Sequence, residues 1–351
     1  MEVQTSSNPQ TVNRRGGMAH RARQSQHDGQ RHARRGAHLK QQTQSANQAS
    51  YQALDQGGEG YPTRLPQPMQ SLWVDRRGPV IKGSAEQGPL SQQQLDEFEN
   101  KGFLFEPNFI SGDELALLRE ELKVLLENDA FRGKDYSVVE PSGKEIRSLF
   151  AVHYLSEVFA RLANNERLVG RARQILGGET YVHQSRINYK PGFEGKGFNW
   201  HSDFETWHAE DGMPEMNAVS ASIVLTDNHE FNGPLMLIPG SHRVFVPCIG
   251  ETPDNNHETS LKKQEVGVPS QEALRQLIER NGIEAPKGSA GGLLLFDCNT
   301  LHGSNANMSP DPRSNAFFVY NRVDNRCGEP FAAKGRRPDF LAHEPEGRFE
   351  P

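Results

Sequence analysis

The sequence is poor in cysteine and contains no long hydrophobic run. Its three cysteines form an odd and sparse set in 351 residues, which argues against a disulfide scaffold and fits a reducing cytoplasm. No stretch approaches the roughly 20 apolar residues that span a bilayer, so we expect a soluble protein with no membrane partner. The formal net charge of -6 is modest and gives no reason to expect nucleic-acid binding.

Apolar residues are also scarce over residues 1–70, where Gln, Ser, Asn, His, Gly and Arg dominate. Such a segment buries too little surface to offset the entropy of ordering it, so we expect a disordered polar and basic tail. Its arginines leave three interpretations open: a solvated tail, a weak anion-binding arm or an organelle-targeting peptide. We expect one folded domain over 71–340 and a polar C-terminal tail over 341–351.

The folded part begins with helical periodicity and continues with strand-like segments. The apolar spacing predicts one helix after Ser91, a second after Ser111, a third over 156–176 and a fourth over 271–281. The segments predicted as strands are 102–105, 180–190, 219–226, 235–238, 292–296 and 316–321. Leading helices followed by many strands predict a mainly β fold with flanking helices, whose core is a double-stranded β-helix, the jelly-roll or cupin-like fold.

An imidazole and a carboxylate lie two residues apart at His201 and Asp203. In an extended backbone, side chains at i and i+2 project to the same side, so both groups can reach one metal ion. Two histidines and one carboxylate form the triad that leaves coordination positions open on non-haem Fe(II). The third ligand is expected to be His302, with His242 as the alternative. His208 is expected in a loop, exposed or in support of the site.

Zinc also binds triads of this composition, so the metal must be chosen on other grounds. Arg313 follows His302 by eleven residues and favours iron. The order of His-x-Asp, a distant His and then Arg resembles that of Fe(II)- and 2-oxoglutarate-dependent dioxygenases. In such enzymes 2-oxoglutarate chelates iron through its 1-carboxylate and 2-keto oxygen, which leaves its far carboxylate for a cation such as arginine.

Polar residues alternate along two of the predicted strands. The residues that share one face are Gln184, Arg186, Asn188 and Lys190 on the first strand, and Arg313, Asn315, Phe317 and Val319 on the second. From the alternation alone, a solvent-exposed face and a polar interior around a ligand are both open.

Longer motifs carry a more specific resemblance. They are His183–Gly192, Phe198–Pro214, Phe231–His242 and Leu295–Asn305. Together they resemble the ectoine hydroxylases within the phytanoyl-CoA dioxygenase-like family, and the likeness runs over roughly 73–338. The long N-terminal extension departs from the compact pattern of that family.

The resemblance implies a set of ligands and residue roles. It implies Fe(II) as the cofactor, bound by His201, Asp203 and His302, with 2-oxoglutarate and dioxygen as cosubstrates. Cosubstrate binding is implied for Lys190, Asn188, Ser304, Arg313 and Phe198. Binding of the substrate ectoine is implied for Gln184, Thr206, Trp207, Asn315 and Phe317. The implied reaction yields 5-hydroxyectoine, succinate and CO2, and the implied assembly is a homodimer.

Two other functions remain open on the sequence. One is the same chemistry on another small zwitterion or a free amino acid. The other is a jelly-roll binding protein that has lost catalysis, against which the intact set of metal and cosubstrate residues argues.

Overall fold

The computed structural model describes residues 60–140, 145–347 and 349. Residues 1–59 of the tail predicted over 1–70 therefore lie outside the described residues. Within the described part, the strands are β1 Val74–Asp75, β2 Phe103–Glu106, β3 Ser137–Val139, β4 Ile146–Phe150, β5 Thr180–Lys190, β6 Phe198–His201, β7 Ala218–Val224, β8 Leu235–Leu237, β9 Val244–Phe245, β10 Leu293–Asp297, β11 His302–Ser304 and β12 Arg313–Arg322. The strands predicted from the sequence are all present, β5 with the predicted bounds and the others with shifted ends, and the short strands β1, β3, β4, β6, β9 and β11 were not predicted.

The helices of the described part are α1 Gln92–Lys101, α2 Gly112–Glu127, α3 Val152–Leu155, α4 Glu157–Ala163, α5 Glu166–Leu176, α6 Asp203–Thr206, α7 Asn256–Ser260 and α8 Gln271–Asn281. Ser91 and Ser111 cap α1 and α2 as predicted, and α8 has the predicted bounds. The single helix predicted over 156–176 is instead two helices. Asn165 interrupts it because its side chain caps α5 by accepting the N–H of Arg167. Among these residues, no helix is both long enough and apolar enough to cross a membrane.

The larger sheet has seven strands in the order β2-β10-β7-β12-β5-β4-β3, and a smaller sheet has the order β6-β11-β8. All the pairings within them are antiparallel. A buried cluster joins the two sheets, with Leu237 from β8 packed with Phe296 and Phe317 from β10 and β12. These two facing antiparallel sheets confirm the predicted jelly-roll core.

The main hydrophobic core lies on the other face of the large sheet, where the helices pack. Leu118 and Phe159 from the helices share this core with Ile187 and Phe318 from β5 and β12. One face of the large sheet is therefore covered by helices, and the opposite face is turned toward the small sheet. Alternation along β5 and β12 sends one set of side chains to each face.

Buried side chains lie beyond both predicted boundaries of the folded domain. Tyr61 and Arg64, which the sequence assigned to the tail, are 3% and 6% exposed. At the other end, Leu341 and Ala342 are buried, and Leu341 packs in the main core. These segments carry only a few apolar residues each, and their burial comes from contacts with residues far away in the sequence.

Candidate active site

The three residues predicted as metal ligands meet at the edge of the small sheet. His201 ends β6 and His302 begins β11, and the two residues are directly opposed in the antiparallel pairing. Their ring centroids lie 4.2 Å apart. Asp203 Oδ1 lies 3.6 Å from His201 Nε2 and 3.9 Å from His302 Nε2. Within the described ranges, this is the group of His, Cys, Asp or Glu side chains that could hold a metal ion.

Asp203 reaches the site by a different backbone path from the expected one. The sequence analysis placed His201 and Asp203 in one extended segment, whereas Asp203 is the first residue of α6. Ser202 stays extended and caps this helix by accepting the N–H of Glu205. The chain therefore turns into a helix immediately after the strand, and the carboxylate still faces the imidazole.

Both histidines are oriented by backbone carbonyls. Nδ1 of His201 is 2.8 Å from the carbonyl oxygen of Asn199, and Nδ1 of His302 is 3.0 Å from that of Thr300. Because a carbonyl only accepts, each Nδ1 carries the proton and donates it. Each Nε2 is thereby left as a lone-pair donor facing Asp203, which is the arrangement that metal-binding histidines adopt.

The electrostatics of the group favour a cation. Burial is the largest influence on the pKa of Asp203 and would raise it, but the neighbouring His302, His201 and Arg186 together lower it. Burial, with the neighbouring His201, lowers the pKa of His302 to about 4. The carboxylate is therefore ionised and the imidazole neutral near pH 7, as metal ligation requires. Oδ2 of Asp203 is buried with no hydrogen-bond partner, and a bound divalent ion would satisfy it.

One cavity between the two sheets contains nearly all the predicted site residues. Twelve of the thirteen line it, namely His201, Asp203, His302, Lys190, Asn188, Ser304, Arg313, Phe198, Gln184, Thr206, Trp207 and Phe317. Asn315 is the exception. Its side chain is buried, and its Nδ2 donates to Ser222 Oγ at 3.0 Å within the large sheet.

Pairing of β5 with β12 explains why the cavity is polar. Lys190 is opposed to Arg313, Asn188 to Asn315 and Arg186 to Phe317. The two polar faces recognised in the sequence therefore form one continuous surface. Gln184, Arg186, Asn188 and Lys190 all line the cavity, so the polar-interior interpretation is correct for this strand and the solvent-exposed one is wrong.

Two buried basic side chains lie at one end of this surface. Lys190 Nζ donates to Ser304 Oγ at 2.8 Å and to the carbonyl oxygen of Asn305 at 2.5 Å. Arg313 is 2% exposed, and its Nε and Nη1 have no hydrogen-bond partner. Neither side chain makes an ion pair with another described residue. Burial of unpaired guanidinium nitrogens is costly, so this end of the cavity is suited to a carboxylate ligand.

The opposite side of the metal group is formed by an indole, a phenyl ring and amides. Trp207 and Phe317 are both 2% exposed. Gln184 Nε2 donates to the carbonyl oxygen of Leu341 at 2.7 Å, and its Oε1 accepts from Arg186 at 2.5 Å. The guanidinium of Arg186 lies 4.8 Å from the centroid of the Phe317 ring. This wall offers both aromatic faces and polar groups to a small charged molecule.

The other histidines considered in the sequence lie elsewhere. His208 is buried in a π-helical turn, Trp207–Asp211, and not in an exposed loop. Its Nδ1 donates to the carbonyl oxygen of Met213 at 2.7 Å. His242 is buried beside Glu99, whose carbonyl oxygen lies 3.1 Å from its Nε2. Neither histidine belongs to the group that could hold a metal.

Sequence reasoning missed several charged or polar residues of the cavity wall, namely Arg147, Arg186, Gln264 and Arg337. Alternation along β5 placed Arg186 on the correct face, and that signal could have found it. Arg337 forms a buried ion pair with Asp211 at 2.6 Å across 126 residues, which no local pattern reveals.

Known proteins are similar to this chain in sequence and in fold. A model of the family described as phytanoyl-CoA dioxygenase (PhyH) matches residues 98–315. The ectoine dioxygenase of Halomonas elongata is 71% identical over 314 residues, which cover 90% of this chain and 95% of that protein. The ectoine dioxygenase of Stutzerimonas stutzeri is 51% identical over 283 residues, which cover 80% of this chain and 93% of that protein.

Solved structures agree with these matches. The crystal structure of EctD from S. alaskensis with 2-oxoglutarate and 5-hydroxyectoine has a TM-score of 0.73 at 45% identity, covering 81% of this chain and 94% of that one. The structure of the same protein with bound Fe has a TM-score of 0.73 at 44% identity, covering 83% of this chain and 96% of that one. This chain therefore belongs to the phytanoyl-CoA dioxygenase family.

Proposed function

We propose that this chain is an Fe(II)- and 2-oxoglutarate-dependent dioxygenase that hydroxylates ectoine at C5. Ectoine, 2-oxoglutarate and dioxygen are converted to 5-hydroxyectoine, succinate and CO2. The observation that carries this proposal is the placement of the His201, Asp203 and His302 group and the buried basic side chains of Lys190 and Arg313 in one cavity. An activity of this kind needs both a metal with open positions and a cation for its cosubstrate.

The metal ligands would be Nε2 of His201, Nε2 of His302 and a carboxylate oxygen of Asp203. These atoms all lie within 4.8 Å of one another, and the unsatisfied Oδ2 of Asp203 fits a bound cation. When bound, Fe(II) supplies the activation of dioxygen that no amino-acid side chain can provide. The protein keeps the two imidazoles neutral and fixed through Asn199 and Thr300.

The cosubstrate end of the cavity is formed by the two cations. Arg313 offers Nε and Nη1, both without a partner, to the far carboxylate of 2-oxoglutarate. Lys190 and Ser304 add a second cation and a hydroxyl from the neighbouring strands. Pairing of a buried guanidinium with a carboxylate would remove the penalty of its unpaired burial, so cosubstrate binding would stabilise this part of the protein.

Ectoine is a small zwitterion with a delocalised amidinium and a carboxylate. Trp207 and Phe317 can hold the amidinium by cation–π attraction of about 0.5–2 kcal/mol. One face of Phe317 is already covered by Arg186. Gln184 and Thr206 supply polar atoms in the same wall. The 71% identity to an ectoine dioxygenase supports this substrate over another zwitterion.

Positioning is the main task of these walls. The two reacting carbons, one on each organic substrate, must be held beside one metal while other bonds are kept away. A displacement of about 1 Å can lower the rate by roughly 10²-fold, so the rigidity of the cavity wall affects turnover directly. The jelly-roll sheets provide that rigidity, because the cosubstrate residues come from β5, β6, β11 and β12.

Assembly as a homodimer is a further part of the proposal. Three apolar side chains are exposed close together, since Met308 N–H donates to the carbonyl oxygen of Phe231 and Phe193 N–H donates to that of Ser309. Their exposed fractions are 69% for Phe193 and Phe231 and 80% for Met308. Such a patch is suited to burial against a second copy. Sedimentation of the Met308→Lys variant tests it, since an unchanged oligomeric state would reject this interface.

A cytoplasmic location completes the proposal. Cys248, Cys298 and Cys327 are all unpaired and buried, as is usual in a reducing compartment. Such a compartment also keeps iron ferrous. Cell fractionation with an antibody against the chain tests the location.

Incubation of the purified protein with Fe(II), 2-oxoglutarate, dioxygen and ectoine tests the function. We expect 5-hydroxyectoine and succinate in equal amounts, with succinate release dependent on ectoine. A panel of small zwitterions and free amino acids should show lower kcat/KM than ectoine. Succinate release that does not depend on ectoine, or a panel compound with a higher kcat/KM, would reject the substrate assignment. Either result would still be compatible with a dioxygenase.

A further inference from the structure

Residues 60–65, here called the N-terminal clasp, lie against the helix that carries Asp203. Arg64 Nε donates to Glu205 Oε1 at 2.7 Å, and its Nη2 donates to Glu205 Oε2 at 3.0 Å and to Glu210 Oε1 at 2.9 Å. The Arg64, Glu205 and Glu210 side chains are 1%, 1% and 3% exposed. One guanidinium thus joins two carboxylates on successive turns.

The clasp is attached to the same helix at two other points. Tyr61 N–H donates to His208 Nε2 at 2.9 Å, and Thr63 Oγ1 donates to Glu205 Oε1 at 2.6 Å. Gly60 approaches so closely that a Cβ atom there would lie 2.7 Å from His208 Nε2. The fit between the clasp and the helix therefore leaves little freedom for either to shift.

The backbone on both sides of the ion pair is unusual. Arg64 has φ of 53°, a left-handed conformation that is rare and unfavourable for a residue with a Cβ. Gly267 has φ of +77°, and a Cβ atom there would collide with Glu205 Oε2 and lie 2.9 Å from Arg64 Nη2. Glycine adopts such a φ without strain, so the strain lies at Arg64, where surrounding contacts must maintain it.

The helix under the clasp has two faces with different roles. Asp203, Thr206 and Trp207 line the cavity, whereas Glu205 and Glu210 point to the clasp. The α-helical part spans only Asp203–Thr206 before it becomes π-helical, and helices this short have little stability of their own. The orientation of the cavity face therefore depends on the contacts made by the outer face.

We propose that Arg64 is a positioning residue that sets the part of the ectoine wall formed by Thr206 and Trp207. It acts through Glu205 and Glu210 and touches neither metal nor substrate. The identity of the substrate in this proposal rests on the proposed function. Lys190 and Arg313 lie on β5 and β12, and within the described residues neither forms a hydrogen bond or ion pair with the clasp. Arg64 should therefore affect ectoine and leave 2-oxoglutarate binding unaltered.

Steady-state kinetics of Arg64→Lys and Arg64→Gln test whether the effect is confined to ectoine. Lysine keeps the charge but loses the fork that bridges two carboxylates. We expect kcat/KM for ectoine to fall about 10- to 100-fold in both variants, with KM for 2-oxoglutarate within about twofold of the parent.

The matched control is Arg171→Gln, which breaks a forked pair with Glu106 at 2.7 and 2.8 Å on the helix-covered side of the large sheet. Its kinetic constants should match those of the parent even if its Tm falls.

Hydrogen exchange on the metal-free protein supplies a readout that does not depend on turnover. In Arg64→Lys, amides over 203–211 should exchange faster, while those of β5 and β12 keep their protection. Gly267→Ala, which crowds the same ion pair, should reproduce the pattern if Arg64→Gln fails to fold. The proposal would be overturned if the Arg64 variants lost affinity equally for ectoine and 2-oxoglutarate, or if their kinetic constants were unchanged. Faster amide exchange throughout the large sheet would also overturn it. If the parent does not hydroxylate ectoine, the proposed function fails and the exchange pattern still decides the role of Arg64.

Discussion

Lys190 and Arg313 are directly opposed on neighbouring antiparallel strands, and both are buried. Like charges opposite each other in a sheet are destabilising, and here no carboxylate of the described residues pairs with either one. Burial, followed by the charges of Arg313 and Arg147, lowers the pKa of Lys190 to about 6. Burial also lowers the pKa of Arg313 to about 10. The cavity is therefore short of negative charge until an anionic ligand enters it.

Binding of 2-oxoglutarate should take up a proton near neutral pH. With a pKa of about 6, Lys190 is mostly neutral at pH 7 in the unliganded protein, and a dianionic ligand raises that pKa. Affinity should weaken as the pH rises from about 6 toward the pKa reached in the complex, because the bound state holds more protons. Calorimetric titration in two buffers of different ionisation enthalpy measures the uptake. Heats that do not depend on the buffer would contradict it, and Lys190→Met should abolish the dependence.

Arg313→Lys should weaken 2-oxoglutarate binding above all. The substitution keeps a cation but removes the fork, which loses one or two charge-assisted hydrogen bonds of about 1.5–3 kcal/mol, or roughly 10- to 100-fold in KM for 2-oxoglutarate. KM for ectoine should change little. Arg322→Lys, at the other end of β12, is the matched control and should leave both constants as they are. A raised KM for ectoine with an unaltered KM for 2-oxoglutarate would reverse the assignment of this cation.

His201→Ala should abolish iron binding and turnover while the fold is retained. The imidazole makes its hydrogen bond to the carbonyl oxygen of Asn199, so its removal opens little else. Two ligands remain, and activity should fall by more than about 10²-fold. Metal analysis and circular dichroism measure the two effects. His229→Ala, a partly exposed histidine away from the cavity wall, should retain iron. A His201→Ala protein that keeps stoichiometric iron would refute the ligand assignment.

Trp207→Ala should weaken ectoine binding. Loss of one cation–π contact of about 0.5–2 kcal/mol corresponds to a rise of about 2- to 30-fold in KM for ectoine. Trp200→Ala is the control, because Trp200 packs on a separate cluster with Leu277 and Val246 and does not line the cavity. Saturation curves for ectoine at fixed 2-oxoglutarate separate the two variants. Equal effects of both substitutions would indicate a loss of packing and not of substrate contact.

The local parts of the site could be predicted because their signals are short in sequence. His201 and Asp203 are two residues apart, and the polar face of β5 follows from strand alternation. Asn315 shows the limit of this reasoning. It shares a face with Arg313 and Phe317 in sequence, yet its amide is held by Ser222 and does not reach the cavity wall. Alternation predicts which side a residue takes, but it does not predict how far its side chain extends or what holds it.

By itself, the sequence determined the types of the longer helices and strands, the residues of the metal group and the polarity of the cavity strands, because periodicity and ligand chemistry act over a few residues. Only the tertiary structure decided which sheet face is enclosed, and only it brought Arg64 to Glu205 and Arg337 to Asp211. Those ion pairs join residues separated by 141 and 126 positions. Their partners are chosen by the packing of the whole chain, since a buried charge needs a counter-charge wherever the fold happens to place one.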